Sequence, residues 1–341
     1  MINIWIEYPS GNLLGGFKMK YLVTGGSGFV GSHLCETLLG AGHQVLVLDN
    51  LSTGSYANIE HLEGKPGFEL RVGSVNDYDL VEECVRECLA VFHLASAVGV
   101  RLIVDQPVLT IESIVNGTDN VLKASSRYRR KVLITSTSEV YGKSDKLPFR
   151  EDGDSVIGAT TTRRWAYACA KALDEFLGLA HWHETRLPVV IVRLFNTVGP
   201  RQTGQYGMVI PRFVRQALSN EPITVYGDGL QARCFGHVQD IITGIAGLME
   251  HPGAAGQVFN IGNDEETTIL ELANRVIALT GSASKIKIIP FSEAYPAGFE
   301  DMHRRIPDLN KVKAAIGYAP KRNLDAILTD VINQFKGGQK V

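Results

Sequence analysis

At 341 residues and 37.2 kDa the chain has room for one large α/β domain or for a dinucleotide-binding domain with a smaller companion. Hydrophobic residues at 45% and charged residues at 21% exclude a disordered or fibrous architecture. A formal net charge of -2 and a pI near 6.5 provide no broad basic field, which speaks against nucleic acid or an anionic membrane as partner and leaves any anionic ligand to local groups.

The five cysteines, Cys35, Cys84, Cys88, Cys169 and Cys234, form no C-x-x-C pair and no Cys/His cluster at zinc-ligand spacing, so no metal site is expected. No apolar run reaches the roughly 18 to 20 residues of a spanning helix. A reduced, cytoplasmic setting is the expectation. Residues 1-18 contain Glu7, Pro9 and several glycines instead of a basic start and a long apolar run. They read as an extension ahead of a domain that opens at Met19.

From Met19 onward short apolar runs alternate with longer amphipathic stretches, the pattern of repeated βαβ units. Strands are predicted at Lys20 to Thr24, Gln44 to Asp49, Phe68 to Val72, Val91 to Ala95, Val132 to Ser136 and Val189 to Phe195. Most are apolar at consecutive positions, as expected of a parallel sheet covered on both faces. Helices are predicted at Gly31 to Ala41, Val108 to Ser126 and Trp165 to His183. After about residue 196 the texture changes to glycine- and proline-punctuated pieces such as Gly199-Pro200, Ile210-Pro211 and Tyr226-Gly227-Asp228-Gly229. One later helix is opened by Thr268 with Glu271 three residues on, and closed by Gly281.

Lys20 to Gly31 reads K-Y-L-V-T-G-G-S-G-F-V-G, a strand running into Gly25, Gly28 and Gly31 and then into a helix. Such a turn lets backbone amides approach a pyrophosphate with no Cβ in the way, and the helix N-terminus adds partial positive charge. Asp49 closes the next strand, where a carboxylate accepts from adenosine ribose hydroxyls and repels a 2′-phosphate, which selects NAD over NADP. The fold expected is α/β: a Rossmann doubly wound parallel sheet over 19-195, followed by a smaller C-terminal substrate-binding lobe over 196-341, some of whose segments return to the sheet.

Tyr167 and Lys171 stand four apart, which puts both on one face of a helix. A nearby ammonium, together with the positive nicotinamide, is expected to favour the tyrosinate and lower the phenol's pKa toward working pH. About 30 residues earlier, V-L-I-T-S-T-S-E-V-Y-G at 132-142 is a strand ending in hydroxyls and a carboxylate. His93 and His237 sit beside apolar strands and are expected as core or loop residues.

These motifs, with D-N-L-S-T-G at 49-54, H-L-A-S at 93-96, N-G-T at 116-118, Y-A-C-A-K at 167-171 and R-L-F-N-T-V-G-P-R at 193-201, make the chain from Met19 to about Gln334 resemble an extended short-chain dehydrogenase/reductase of the nucleotide-sugar epimerase, dehydratase and decarboxylase group. The resemblance implies a UDP-sugar substrate and tightly bound NAD recycled in each turnover. Cofactor contacts are then expected from Gly25, Gly28, Phe29, Val30 and Gly31; from Asp49, Asn50, Ser74 and Val75; and from Leu94, Ala95, Ser96, Asn116, Tyr167 and Lys171. Position 74 is Ser where relatives commonly carry Asp. Tyr167 would take the C4 hydroxyl proton as hydride leaves C4, Lys171 would hold the nicotinamide ribose, and Thr137 would bind O4. Asn196, Arg233 and Arg305 would meet the diphosphate, with Val98, Arg101, Arg212 and Tyr226 as further substrate contacts. The helices at 108-126 and 165-183 carry apolar faces that relatives use to form a homodimer.

A 4-keto intermediate has several uses, and Ser138 and Glu139 bear on the choice. Dehydratases of this group usually show Asp-Glu there, galactose epimerases small residues or Thr at the second position, and UDP-glucuronate decarboxylases Ser-Glu. Ser138-Glu139, Arg164-Trp165 and Arg305 ahead of x-P-D resemble decarboxylases. The D-N-L-S-T-G turn, the V-G-V-R-L-I-V-D stretch at 98-105 and the lack of a proline-rich loop resemble UDP-sugar 4-epimerases. The first reading is a 4-epimerase, the alternative a UDP-glucuronate decarboxylase, with a uronic acid substrate open to both. A non-catalytic nucleotide-sensing protein fits less well with Thr137, Tyr167 and Lys171 all present. A plain alcohol dehydrogenase would not require Asn196, Arg233 and Arg305.

Overall fold

The structure is a computed structural model that describes residues 18-96, 106-204, 208-294, 302 and 304-337. Six strands come first: β1 (Lys20–Thr24), β2 (Gln44–Asp49), β3 (Phe68–Val72), β4 (Ala90–His93), β5 (Lys131–Thr137) and β6 (Val189–Leu194). Short strands β7 (Thr197–Val198), β8 (Ile223–Tyr226), β9 (Ala232–Cys234) and β10 (Gly236–His237) follow, and then β11 (Gln257–Ile261), β12 (Glu266–Thr268), β13 (Ile286–Ile289) and β14 (Arg304–Arg305). A seven-stranded sheet has the order β11-β6-β5-β4-β1-β2-β3 and is parallel throughout. Two units therefore wind outward in opposite directions from β1 and β4, and ligands in such sheets bind where the order reverses, at the carboxyl ends of the strands.

The helices are α1 (Phe29–Gly40), α2 (Tyr78–Glu87), α3 (Pro107–Tyr128), α4 (Trp165–Thr185), α5 (Val209–Leu218), α6 (Val238–Glu250), α7 (Ile269–Thr280), α8 (Phe291–Ala294), α9 (Asn310–Ile316) and α10 (Leu324–Lys336). On one face of the sheet Leu34 and Leu38 of α1 pack with Ile241, Ile245 and Leu248 of α6 and Val312 of α9. On the other face Val81 and Val85 of α2 pack with Val121 and Leu122 of α3 and with Ile134 and Ile191 of the sheet. Each such side chain, fully removed from water, contributes about 1.5-3 kcal/mol. Covering on both faces is why strand residues such as Leu22, paired with Leu46 and Val91, are apolar without alternation. A third cluster, joining α5, α7, α10 and β8 through Phe213, Leu272, Ile327 and Val225, lies beyond the sheet.

Several boundaries differ from the sequence expectation. Helix α1 starts at Phe29, two residues early, because Gly28 serves as its N-cap. Strand β4 ends at His93, and Leu94 to Ser96 leave the ladder to line a cleft. Helix α2, which the sequence reading did not name, is capped by Asp77, whose carboxylate accepts from the Leu80 amide at 3.2 Å. Strand β11 completes the sheet from far along the chain. Thr268 caps α7 as expected by accepting from the Glu271 amide at 3.1 Å, and Gly281 ends it at φ +65°. The Glu271 carboxylate turns to Arg275 at 2.9 Å, so only half of the capping box forms. Among the described residues no helix is long and apolar enough to cross a membrane.

Candidate active site

The carboxyl ends of β1, β2 and β4 open into a cavity of about 1080 Å³. Gly25 turns the chain out of β1 at φ +73°, and a Cβ there would stand 2.7 Å from the Ala95 amide; one at Gly31 would collide with the Gly25 carbonyl. The turn and the helix behind it thus require glycine at both points. Helix α1 has no side-chain cap and no acidic residue in its first turn, so its leading amides are left for an anionic ligand. The Asp49 carboxylate accepts from the amides of Ser27 at 2.9 Å and Leu51 at 2.8 Å. These bonds fix its direction and leave lone pairs for ribose hydroxyls. A glycine cradle, an uncapped helix start and a fixed carboxylate together fit NAD.

Of the sequence-predicted cofactor residues, Gly25, Gly28, Phe29, Val30, Gly31, Asp49, Asn50, Ser74, Val75, Leu94, Ala95 and Ser96 line this cavity. From α3 it is Ser113 that lines it, while Asn116 lies exposed one turn on. Sequence reasoning missed His61, Arg201 and Gln334, which also line it. Arg201, at φ +71°, is held on every side: its amide donates to Gln334 Oε1 at 2.9 Å, and its guanidinium reaches Ser32 at 3.2 Å and Glu36 at 2.5 Å. Its only trace in the sequence is the G-P-R that closes the 193-201 motif.

Thr137 ends β5, and a single turn of 3-10 helix, Ser138–Tyr141, follows. Helix α4 brings Tyr167 and Lys171 against that turn, with the phenol beside the Thr137 hydroxyl. Both side chains are buried, Lys171 to 2% exposure. Burial first, and the Glu139 carboxylate second, push the phenol's pKa well above the usual tyrosine value. The Lys171 ammonium meanwhile donates to Asp174 at 2.8 Å. Glu139 Oε1 accepts from Arg305 Nη1 at 3.1 Å and lies 3.5 Å from Arg164 Nη2, so two guanidinium groups meet one carboxylate beside the phenol. Behind the pair, His93 bridges Thr24 at 2.8 Å and Thr118 at 3.1 Å. Burial, helped by Lys171, pushes His93 down to about 3, so it is a neutral core residue.

Ser138 is buried at the head of the turn. Ser136, one residue before Thr137, donates to Glu175, which also grips Arg193 through bonds of 2.7 and 3.0 Å. The end of β5 is thereby tied to α4 and β6. Asn196 donates to the Cys234 carbonyl at 3.1 Å, the Arg212 guanidinium lies 4.0 Å over the Tyr226 ring, and Arg233 is buried with Nη1 donating to the Ala232 carbonyl. Val98 and Arg101 lie outside the described residues.

The profile of the GDP-mannose 4,6 dehydratase family matches residues 22–331. The chain belongs to the GDP-mannose 4,6-dehydratase family. Within that family it is 41% identical over 320 residues to the UDP-N-acetyl-alpha-D-glucosaminuronate decarboxylase of Bacillus cytotoxicus, covering 94% of this chain and 98% of the relative. It is 36% identical to UDP-glucuronic acid decarboxylase 1 of Danio rerio, over 93% of this chain and 73% of that one. Among solved structures, UDP-glucuronic acid 4-epimerase from Bacillus cereus, in complex with UDP-glucuronic acid and NAD, superposes with a TM-score of 0.84 at 27% identity, over 94% and 99% of the two chains.

Proposed function

We propose that this protein is an NAD-dependent decarboxylase of UDP-hexuronates, acting through oxidation at C4. That it is an NAD-dependent nucleotide-sugar enzyme follows from its family and relatives. The observation that carries the finer reading is the ion pair of Glu139 with Arg305, with Arg164 beside it, on the turn that follows Thr137 and near enough to Tyr167 for the Glu139 charge to act on the phenol. A cationic pair at that place suits a substrate carboxylate, because planar guanidinium groups give paired, charge-assisted hydrogen bonds. The 4-epimerase, taken first on the sequence, receives less support from the relatives at 36% and 41% identity than the decarboxylase alternative.

NAD, when bound, supplies the hydride acceptor at C4. Tyr167 takes the C4 hydroxyl proton, and Thr137 orients that hydroxyl. The new ketone is β to the C5 carboxylate, so the C5-C6 bond breaks with its electron pair passing toward C4 and carbon dioxide leaving. A proton from water at C5, and hydride at C4 with the Tyr167 proton returned to O4, would complete a UDP-pentose. Arg305, expected from the sequence at the diphosphate but found on Glu139, holds the carboxylate with Arg164, and Glu139 keeps both guanidinium groups aligned. Exposed Leu173 and Phe176 on α4, with Val108, Leu109 and Ile111 on α3, support a homodimer formed through these two helices.

The test is incubation of the protein with UDP-glucuronate or UDP-N-acetylglucosaminuronate labelled at C6. Labelled carbon dioxide, a UDP-pentose and no net NADH are expected. Inversion at C4 with every C6 label retained would establish the epimerase instead.

A further inference from the structure

The helix that carries Tyr167 and Lys171 carries a third group on the same face. Positions 167, 171 and 174 are spaced i, i+4 and i+7 along α4. Asp174 is fully buried, its Oδ2 accepts from the Lys171 ammonium at 2.8 Å, and the Thr118 hydroxyl of α3 lies against the same carboxylate. A carboxylate buried this fully is costly, so its presence two turns from the phenol calls for a physical reason.

The charged groups around the phenol are few. The turn after β5 presents Glu139, which Arg305 and Arg164 already balance. Strand β4 presents His93, held neutral between Thr24 and Thr118. Helix α3 presents Ile114 and Val115, which are apolar, and the uncharged Thr118 hydroxyl, which lies between His93 and Asp174. Helix α4 itself presents Lys171 and Asp174, and Glu175 beside them is engaged by Arg193. Asp174 is thus the anion that decides whether Lys171 acts on the phenol as a cation or as half of a neutral pair.

We propose that Asp174 is a positioning residue for the Tyr167 and Lys171 pair: it holds the ammonium one turn beyond the phenol, so that the phenol keeps its proton until the ammonium turns to the ribose of a bound dinucleotide. The proposal rests on the reading of Tyr167 as the group that takes the C4 hydroxyl proton. An ammonium already neutralised by a carboxylate lowers a neighbouring phenol's pKa little, whereas one released from it lowers that pKa by a unit or more. The Tyr167 base is then armed by cofactor binding.

The experiment compares wild type, Asp174→Asn and Asp174→Glu, first as cofactor-free protein without substrate. Tyrosinate ultraviolet absorbance is followed against pH, with Tyr167→Phe as the blank that isolates this residue. Asp174→Asn should lower the Tyr167 midpoint by about one pH unit or more, and Asp174→Glu should leave it near the wild-type position. In turnover the acid limb of kcat should move to lower pH in Asp174→Asn by a similar amount with KM unchanged. A Tyr167 midpoint that is the same in Asp174→Asn and wild type overturns the proposal. Should circular dichroism show that the Asn variant does not fold, wild type decides alone: the Tyr167 midpoint must fall when NAD is added, and equal midpoints overturn the proposal. The cofactor-free titration is independent of the reaction, so its failure leaves the decarboxylase reading standing, and failure to release carbon dioxide leaves the titration standing.

Discussion

Single residues set the chemistry, and the burial of Tyr167 makes the sharpest demand. Its phenol is held protonated by desolvation and by Glu139, so replacing it removes a proton acceptor without removing a charge from the resting fold. Tyr167→Phe should fold, retain NAD and lose about 10²-10⁴-fold in kcat, measured by carbon dioxide release alongside cofactor absorbance. His93 governs a different property. In the unfolded chain it takes up a proton below its ordinary value of 6.5, whereas in the fold it does so only near about 3. Its contribution to stability is therefore complete above about pH 6.5 and is lost progressively as pH falls toward 3. Urea unfolding at about pH 7 and about pH 5 should show this loss, and His93→Gln should flatten it. Gly25, Gly31, Asp49, Tyr167 and Lys171 were legible because each owes its place to spacing within one strand, turn or helix. His61, Arg201 and Gln334 were not, since packing of distant segments alone brings them to one cavity. The Lys171 contact with Asp174 was within helical reach, yet only burial reveals that it, and not the phenol, holds the ammonium.

At the scale of elements, the parallel strands were readable from runs of consecutive apolar residues, and their ends shifted by one or two residues where capping or a cleft intervened. Helix α2 was harder to read because charged residues fill most of its surface and only Val81, Cys84 and Val85 mark the buried stripe. Strand β11 hides for another reason: Asn260 interrupts its apolar run, and that residue is tolerated only because Tyr141 at 2.7 Å and the Phe149 carbonyl at 2.9 Å satisfy it. Local signals were dependable where a single hydrogen bond defines them, as at the start of α7. Thr268→Ala removes the acceptor for the Glu271 amide and should cost about 1 kcal/mol, read from a chemical-denaturation curve with unchanged slope.

At the scale of the whole molecule, Phe176 and Val108 are 72% and 66% exposed on neighbouring helices, an apolar surface that a second copy of the chain would cover. Phe176→Glu should convert a dimer into a monomer in sedimentation velocity at micromolar concentration while the circular dichroism spectrum is preserved; a wild-type monomer under the same conditions would remove the basis for the dimer. The brace around Arg201 has a consequence at the other end of the chain. Gln334 of α10 both anchors that residue and lines the cavity that fits NAD, so α10 should respond to cofactor binding. Saturating dinucleotide should shield the α10 segment from limited proteolysis, and trimming its last turn should loosen the grip on NAD although no residue of the chemical step has been touched.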